Sequence, residues 1–340
     1  MTPPADHASE TSPDAVDEFD WIERCLKPLA AGAHEALGLS DDAAVIAPRP
    51  GQDLVISKDA MVEGVHFLPD DPLDQVARKL LRVNLSDLAA KGAAPYGYLL
   101  ATAWPSRHGW VQRQAFAAGL AEDQRRYGIA LFGGDTVATP GPFSLSLTIL
   151  GWVPQGRMVR RSGAQLGDVV LVSGTIGDGV LGLAAAQGRL EGADAGDLVM
   201  LADRYRLPRP RVELAAALRE TATAAADVSD GLIADAGHIA AASAVRMQLE
   251  LTHMPLSPAA RRWLERQPAR DQALGWLASG GDDYEVLCAA RPQAAAGLIA
   301  AAADLGVALT AVGRVVEGEG VETCVDGAVF KPARAGYRHR

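Results

Sequence analysis

Cysteine is scarce in this chain: Cys25, Cys288 and Cys324 are the only three among 340 residues, and they lie far apart. That excludes a disulfide framework and a thiolate metal centre, and it suits a reducing cytoplasm. Long apolar runs are missing too, since none reaches the roughly 18 residues that a membrane-spanning helix needs. Basic residues are in deficit, with 32 Lys and Arg against 42 Asp and Glu and a net charge of −10. Non-specific binding to nucleic acid or to an anionic membrane is therefore disfavoured. The first 20 residues hold six acids and no Lys or Arg. Without a basic start and an apolar stretch they do not read as a signal peptide, and residues 1–17 are expected to form a disordered acidic lead-in. No G-x-x-x-x-G-K-[ST] loop occurs, nor the catalytic set of a protein kinase. Any phosphoryl transfer must rest on another fold.

What is present is an ordinary globular composition, 49% apolar and 22% charged, in a chain long enough for two domains. Asp53-Leu54-Val55-Ile56-Ser57 reads as a short strand delivering Ser57 and Asp59 to its end. Asp71-Pro72 then resembles an N-cap with proline at the first helical position, and Val76, Leu80, Val83 and Leu88 predict a helix over about 73–90. A second helix is expected near 108–126, followed by a short strand at 129–132. Phe143, Leu145, Leu147 and Ile149 alternate with polar residues as a half-buried strand. The glycine-rich, charged stretch 151–168 resembles a domain junction, and 168–174 reads as a strand opening a second α/β unit. Alanine-rich helices are expected near 211–225 and 291–304, with strand candidates at 286–288 and from Val312 onward. The pattern fits a two-domain α/β (α+β) arrangement, with domains over 18–152 and 153–340.

The chemistry is carried by acidic turns set beside glycine or serine at the edges of apolar segments. Gly133-Gly134-Asp135-Thr136 is the leading one. Two glycines would let backbone N–H groups approach a phosphate, and Asp135 could hold the neutralising metal; equally, Asp135 could satisfy its own backbone in a tight turn. Asp87, late in the predicted helix, opposes the negative helix end, a cost that a bound cation or a frayed, solvated last turn would relieve. Asp41-Asp42 and Asp59 add carboxylates, and an oxygen-only donor set favours Mg²⁺ or Mn²⁺ over zinc. In Asp227-Val228-Ser229-Asp230-Gly231, Ser229 or Asp230 could be an N-cap, or the N–H groups could receive a polyphosphate. Arg157, Arg160 and Arg161 form a basic cluster in which one could clamp phosphate oxygens. Gly177-Asp178-Gly179-Val180-Leu181-Gly182 matches G-x-G-x-x-G and raises a rival NAD-binding oxidoreductase, but no ribose-binding acid follows on a second strand. His66, beside Phe67, and Tyr337, near the end, are open to either a packing or a binding role.

Taken in order, these strings resemble a known family. Ser57-Lys58-Asp59 is followed by Glu63-Gly64-Val65-His66-Phe67, by Val83 to Ala93 (VNLSDLAAKGA) and by Leu131-Phe132-Gly133-Gly134-Asp135-Thr136. Arg161-Ser162-Gly163-Ala164, Leu207-Pro208-Arg209-Pro210-Arg211, Asp227 to Leu232 and Ser279 to Glu285 (SGGDDYE) complete the set. The chain resembles the bacterial thiamine-monophosphate kinases, within the larger family that includes aminoimidazole ribonucleotide synthetase and selenophosphate synthetase, over residues 18–338. The resemblance implies transfer of the γ-phosphoryl of ATP to thiamine monophosphate in the cytoplasm. It further implies a two-domain ATP-binding fold whose N-terminal domains pair in a homodimer, with no nucleic-acid or membrane partner. It assigns Mg²⁺ binding to Asp42, Ser57, Asp59, Asp87, Asp135, Asp227 and Asp230, with Lys58 in the same stretch. ATP contacts fall to Gly134, Asp135, Arg161 and Ser229, substrate contacts to His66, Asp282 and Tyr337, and catalysis to Asp42, Asp59, Asp87, Asp135 and Arg161. The alternative within the resemblance is a related ATP-dependent synthetase with another acceptor. Three positions depart from the family pattern: Ser40 replaces a glycine, Asp282 a glutamate, and Lys58 a threonine, where a lysine could supply fixed charge to the metal site or point away.

Overall fold

The computed structural model describes residues 17–337, so the expected acidic lead-in falls outside the described residues apart from its last member. Asp17 accepts the N–H groups of Phe19 (2.9 Å) and Asp20 (3.2 Å) and caps a short helix, α1 (Glu18–Trp21). Contacts divide the chain into two units. One comprises the chain up to Ile46 with Ala60–Arg78 and Tyr98–Leu147; the other comprises Ala47–Asp59, Lys79–Gly97 and everything from Thr148.

The first half of the chain supplies β1 (Gln52–Val62), α2 (Leu73–Ala90), β2 (Ala94–Pro105), α3 (Trp110–Tyr127), β3 (Ala130–Thr139) and β4 (Ser144–Pro154). The strands form one sheet in the order β1-β4-β2-β3. The expected helix over 73–90 is α2, whose first turn is closed by the Val76 N–H donating to the Pro72 carbonyl. Pro72 precedes the first helical residue, and the Asp71 carboxylate, expected as the N-cap, accepts the Leu68 N–H behind it at 2.8 Å. The short strand expected over 53–57 is part of the longer β1, so Ser57 and Asp59 lie inside it and not at its end. Two further strand expectations were too short. The Gly133–Thr136 motif does not follow a strand but lies inside β3, and Gly151–Pro154 remain in β4 instead of opening a junction. Gly134 explains the first: a Cβ there would sit 1.7 Å from the Leu100 carbonyl oxygen of the neighbouring strand, so the glycine serves close strand approach and not a turn. The core of the first unit is aromatic. Trp104 stacks on Phe143 at 4.2 Å between centroids, with Phe116, Phe67 and Trp21 edge-on around the pair.

The second unit continues with β5 (Val169–Ser173), α4 (Asp178–Ala186), α5 (Ala195–Arg206), α6 (Ala215–Thr221), β6 (Ala222–Asp227), α7 (Leu232–Ser243) and β7 (Arg246–Glu250). After these come α8 (Pro258–Glu265), α9 (Arg270–Ala278), β8 (Val286–Ala290), α10 (Pro292–Asp304), β9 (Leu309–Val316), β10 (Gly320–Val325) and β11 (Ala328–Phe330). A seven-stranded mixed sheet runs β11-β10-β7-β9-β5-β8-β6, with β10 and β7 parallel and the other pairs antiparallel. Every residue of β8 is buried, as a strand covered on both faces requires. The alanine-rich segment expected to be helical to 225 stops at Thr221 and becomes β6. Pairing with β8 on a fully buried strand outweighs alanine's helix propensity, and its small side chains suit that crowded position.

Candidate active site

The predicted acids of the second unit converge where three elements meet. On β1, Ser57 and Asp59 share a half-buried face while Lys58, one residue out of phase, is exposed on the other. Lys58 therefore turns away from the site. On α2, Asn84 and Asp87, with Lys91 just past its end, are spaced to share one face. Ser57 Oγ donates to Asp87 Oδ2 at 2.5 Å, and the Asp59 N–H donates to Asn84 Oδ1 at 3.2 Å. Asp227, at the end of β6, completes the group.

Electrostatics show how costly the cluster is in the absence of a cation. Burial, then the Asp87 charge, pushes the Asp59 carboxyl up to about 6. Burial raises Asp87 as well, opposed by the Ser57 hydrogen bond and by Lys91 and Arg161. Asp227 is pushed well above the usual carboxylate range by burial and then by Asp87, Asp235 and Asp59. The Asp87 charge opposes ionisation of Asp227, so the pair favours retaining a proton when no cation neutralises it. Crowded carboxyl oxygens with a serine hydroxyl, and no His or Cys, form a donor set suited to a hard divalent cation.

Two cations face this group. Lys91 Nζ donates 2.7 Å to the Ala225 carbonyl, and Arg161 lies near Asp87 and Lys91. The basic stretch resolves accordingly. Arg157 is occupied by Glu220 at 3.1 Å and by the Arg219 carbonyl, while Arg160 offers its carbonyl to the Ala225 N–H; Arg161 is the one turned to the acids. Lys91 was not singled out by sequence reading, although its position four residues after Asp87 was a usable signal.

Ser229 and Asp230 lie in the loop before α7, and neither is the N-cap. Gly231 holds that position, and the Ser229 and Asp230 N–H groups both donate to the buried Asp235 carboxylate at 3.0 Å. Asp235, pushed up to about 7 mainly by burial, is a second residue that sequence reading missed. Asp230, Asp235 and His238 place ligand atoms within 4.8 Å of one another. The chain's last described residue returns here: the Tyr337 N–H donates 2.9 Å to the Asp230 carbonyl. A cavity of about 960 Å³ is lined by Asp230, Ile233, His238, Lys331, Arg334 and Tyr337.

Asp282 sits 3.6 Å from the buried Lys79 ammonium and accepts a hydrogen bond from the Tyr284 phenol, which also lies near Asp59 and Asp227. Asp282 and Tyr284 both have positive φ, +71° and +50°, a conformation that costs about 1–3 kcal/mol per non-glycine residue. The residues between and after them hold that strain. Asp283, fully buried, accepts the N–H groups of Gly177 (2.8 Å) and Gly179 (2.9 Å). Glu285, also fully buried, takes two bonds of 2.6 Å from Arg211, one of 3.0 Å from Arg204 and one of 2.6 Å from Ser173. The same contacts answer the oxidoreductase reading. The N–H groups that a dinucleotide pyrophosphate would need at Gly177 and Gly179 are already taken by a carboxylate of the chain itself.

Asp42, His66, Gly134 and Asp135 belong to the first unit. Asp42 and Asp135 are exposed. The Asp42 N–H donates to Asp41 at 2.8 Å, and the Asp135 carboxylate accepts the Thr136 N–H at 2.9 Å, the local satisfaction foreseen as its alternative role. His66 Nδ1 accepts the Val62 N–H at 3.0 Å, which places the proton of the neutral ring on Nε2.

Comparison with known proteins places this geometry in context. Residues 40–153 match the family model described as AIR synthase related protein, N-terminal domain, and residues 165–326 match that for the C-terminal domain. A thiamine-monophosphate kinase of Caulobacter vibrioides is 53% identical over 334 residues, covering 98% of this chain and 94% of the relative. The crystal structure of thiamine-monophosphate kinase from Stenotrophomonas maltophilia K279a superposes with a TM-score of 0.81 at 40% identity, covering 93% of this chain and 98% of that one. A structure of AaThiL complexed with AMPPCP and TMP superposes with a TM-score of 0.75 at 29% identity, covering 95% and 97%.

Proposed function

The chain belongs to the thiamine-monophosphate kinase family of AIR synthase related proteins, and from that premise we propose the reaction and the division of labour in its site. It is an ATP-dependent kinase that phosphorylates thiamine monophosphate to thiamine diphosphate. The observation that carries this reading into the chain's own residues is the convergence of Ser57, Asp59, Asp87 and Asp227 beside Lys91 and Arg161.

The acceptor is a phosphate oxygen, already largely ionised near neutral pH, so the reaction needs no strong general base and proceeds by direct in-line transfer. The harder task is to bring two anions together and hold them aligned. Asp59, Asp87, Asp227 and Asp230, with Ser57 and with Asp42 and Asp135, are the residues that would hold magnesium. When bound, magnesium supplies positive charge against phosphate repulsion and against charge on the transferring group. Arg161 adds a guanidinium for phosphate oxygens, and Gly134 and Ser229 are the backbone and hydroxyl contacts to ATP. His66, Asp282 and Tyr337 face thiamine monophosphate. Tyr337 and Asp230 line one cavity, and Asp282 is tied through Tyr284 to the acid cluster, which supports placing acceptor and metal side by side.

We read the two matched segments, 40–153 and 165–326, as support for an N-terminal ATP-binding domain and a C-terminal α/β domain. A homodimer through the first of these is supported by apolar Leu99 and Val137 exposed on the adjacent strands β2 and β3. A cytoplasmic setting is supported by three buried, unpaired cysteines. Purified protein incubated with ATP, Mg²⁺ and thiamine monophosphate should form thiamine diphosphate and ADP; no product across a broad metal and pH screen defeats the reading.

A further inference from the structure

Lys91 is placed where a solvated lysine would have served the fold equally well. It follows α2 directly, its N–H donating to the Asp87 carbonyl at 3.0 Å, and a lysine there favours the negative helix end from water. The side chain instead turns inward. Nζ reaches the Ala225 carbonyl at 2.7 Å, two residues before Asp227; burial and then Arg161 push the ammonium down to about 8, and the charges of Asp227 and Asp87 offset part of that. A desolvated ammonium is costly unless opposite charge compensates it, and the carbonyl satisfies only one of its three donors. The compensating charge is the acid cluster itself.

We propose that Lys91 is a built-in counter-cation of the Asp87–Asp227 pair, which keeps those carboxyls together when no divalent cation is bound and competes with one for them. This rests on reading the cluster as the divalent-cation site. It moves the role of fixed positive charge from Lys58, which faces away on β1, to the residue just past the end of α2. A cation that must displace part of the lysine's attraction binds less tightly than the carboxyls alone would allow. The site then gains affinity when ATP brings its own negative charge, so Lys91 biases loading toward the cation–nucleotide pair.

The test is Mn²⁺ binding to nucleotide-free protein, followed by electron paramagnetic resonance of the free ion. The set comprises wild type, K91M, K91Q, which keeps a donor for the Ala225 carbonyl, K91R, which keeps the charge, and D87N. K91M and K91Q should bind Mn²⁺ at least about threefold more tightly, as expected for loss of one solvent-damped unit charge, with K91R within about twofold of wild type. Equal or weaker binding by both neutral variants overturns the proposal for Lys91. Undiminished binding by D87N overturns the cation-site reading on which it stands.

Discussion

Replacing Asp59 with asparagine should separate stability from activity. In the cation-free protein the folded Asp59 carboxyl is raised from 3.8 to about 6, first by burial and then by Asp87. At about 1.4 kcal/mol per unit, that shift amounts to roughly 3 kcal/mol of destabilisation once the group is ionised in both states. Asparagine escapes the charge but still buries an amide, so a net gain of about 1–2 kcal/mol is the expectation. For a unit of this size the melting temperature should rise by about 2–8 °C. Because the folded-state value lies above the unfolded one, the native protein binds more protons between about pH 4 and pH 6, and wild-type stability falls as pH rises through that window. The advantage of D59N should thus be absent near pH 4 and complete above about pH 7. Thermal melts in EDTA at several pH values measure it. In saturating Mg²⁺ the same variant should lose about 10²–10³ in kcat, the scale of removing one electrostatic stabiliser of a transition state. A D59N protein that melts below wild type in EDTA at pH 7.5, or that turns over at a near-native rate, refutes the reasoning.

Two further substitutions probe the loop that carries Asp282. Y284F removes the phenol donor and leaves Asp282 with Lys79 alone, so the KM for thiamine monophosphate should rise about tenfold, the size of one charged hydrogen bond. The KM for ATP should hold in the same steady-state assay, and an unchanged acceptor KM sinks the assignment. E285Q leaves Arg204 and Arg211 buried against a neutral amide, at a cost of about 3–5 kcal/mol. Its melting temperature should fall by about 6–20 °C, and a change of under about 2 °C contradicts the network's structural role.

Helices with strong periodicity were legible in the sequence: α2 runs over 73–90 as expected, and α10 and β8 fall where their patterns put them. What misled was local preference overridden by distant partners. Ala222–Ala226 carry a helical composition, but their neighbour is β8, a fact stored more than sixty residues away. Gly133-Gly134 reads as a turn until the Leu100 carbonyl is seen filling the space a side chain would need. In the site, acids in motif context were legible as candidates, and Ser57, Asp59, Asp87 and Asp227 do converge. Lys91, Asp235, Tyr284 and Lys79 were not, because each acts by reaching a residue on another element. Lys58 misled for the converse reason: adjacency in sequence puts it beside Asp59, and the alternation of a strand puts it on the opposite face.

The anchoring of Asp283 and Glu285 also sets a schedule. Asp283 closes onto Gly177, 106 residues earlier in the chain, and Glu285 onto Ser173, 112 earlier. Contacts of such long range form late and slowly, since the intervening chain must first be brought to order. Until the Gly280–Glu285 loop is in place, α4's first turn and the two arginines lack these carboxylate partners. The left-handed residues that present Asp282 and Tyr284 are therefore held in place by long-range contacts. A chain interrupted before that loop carries most of the protein's mass with none of its chemistry.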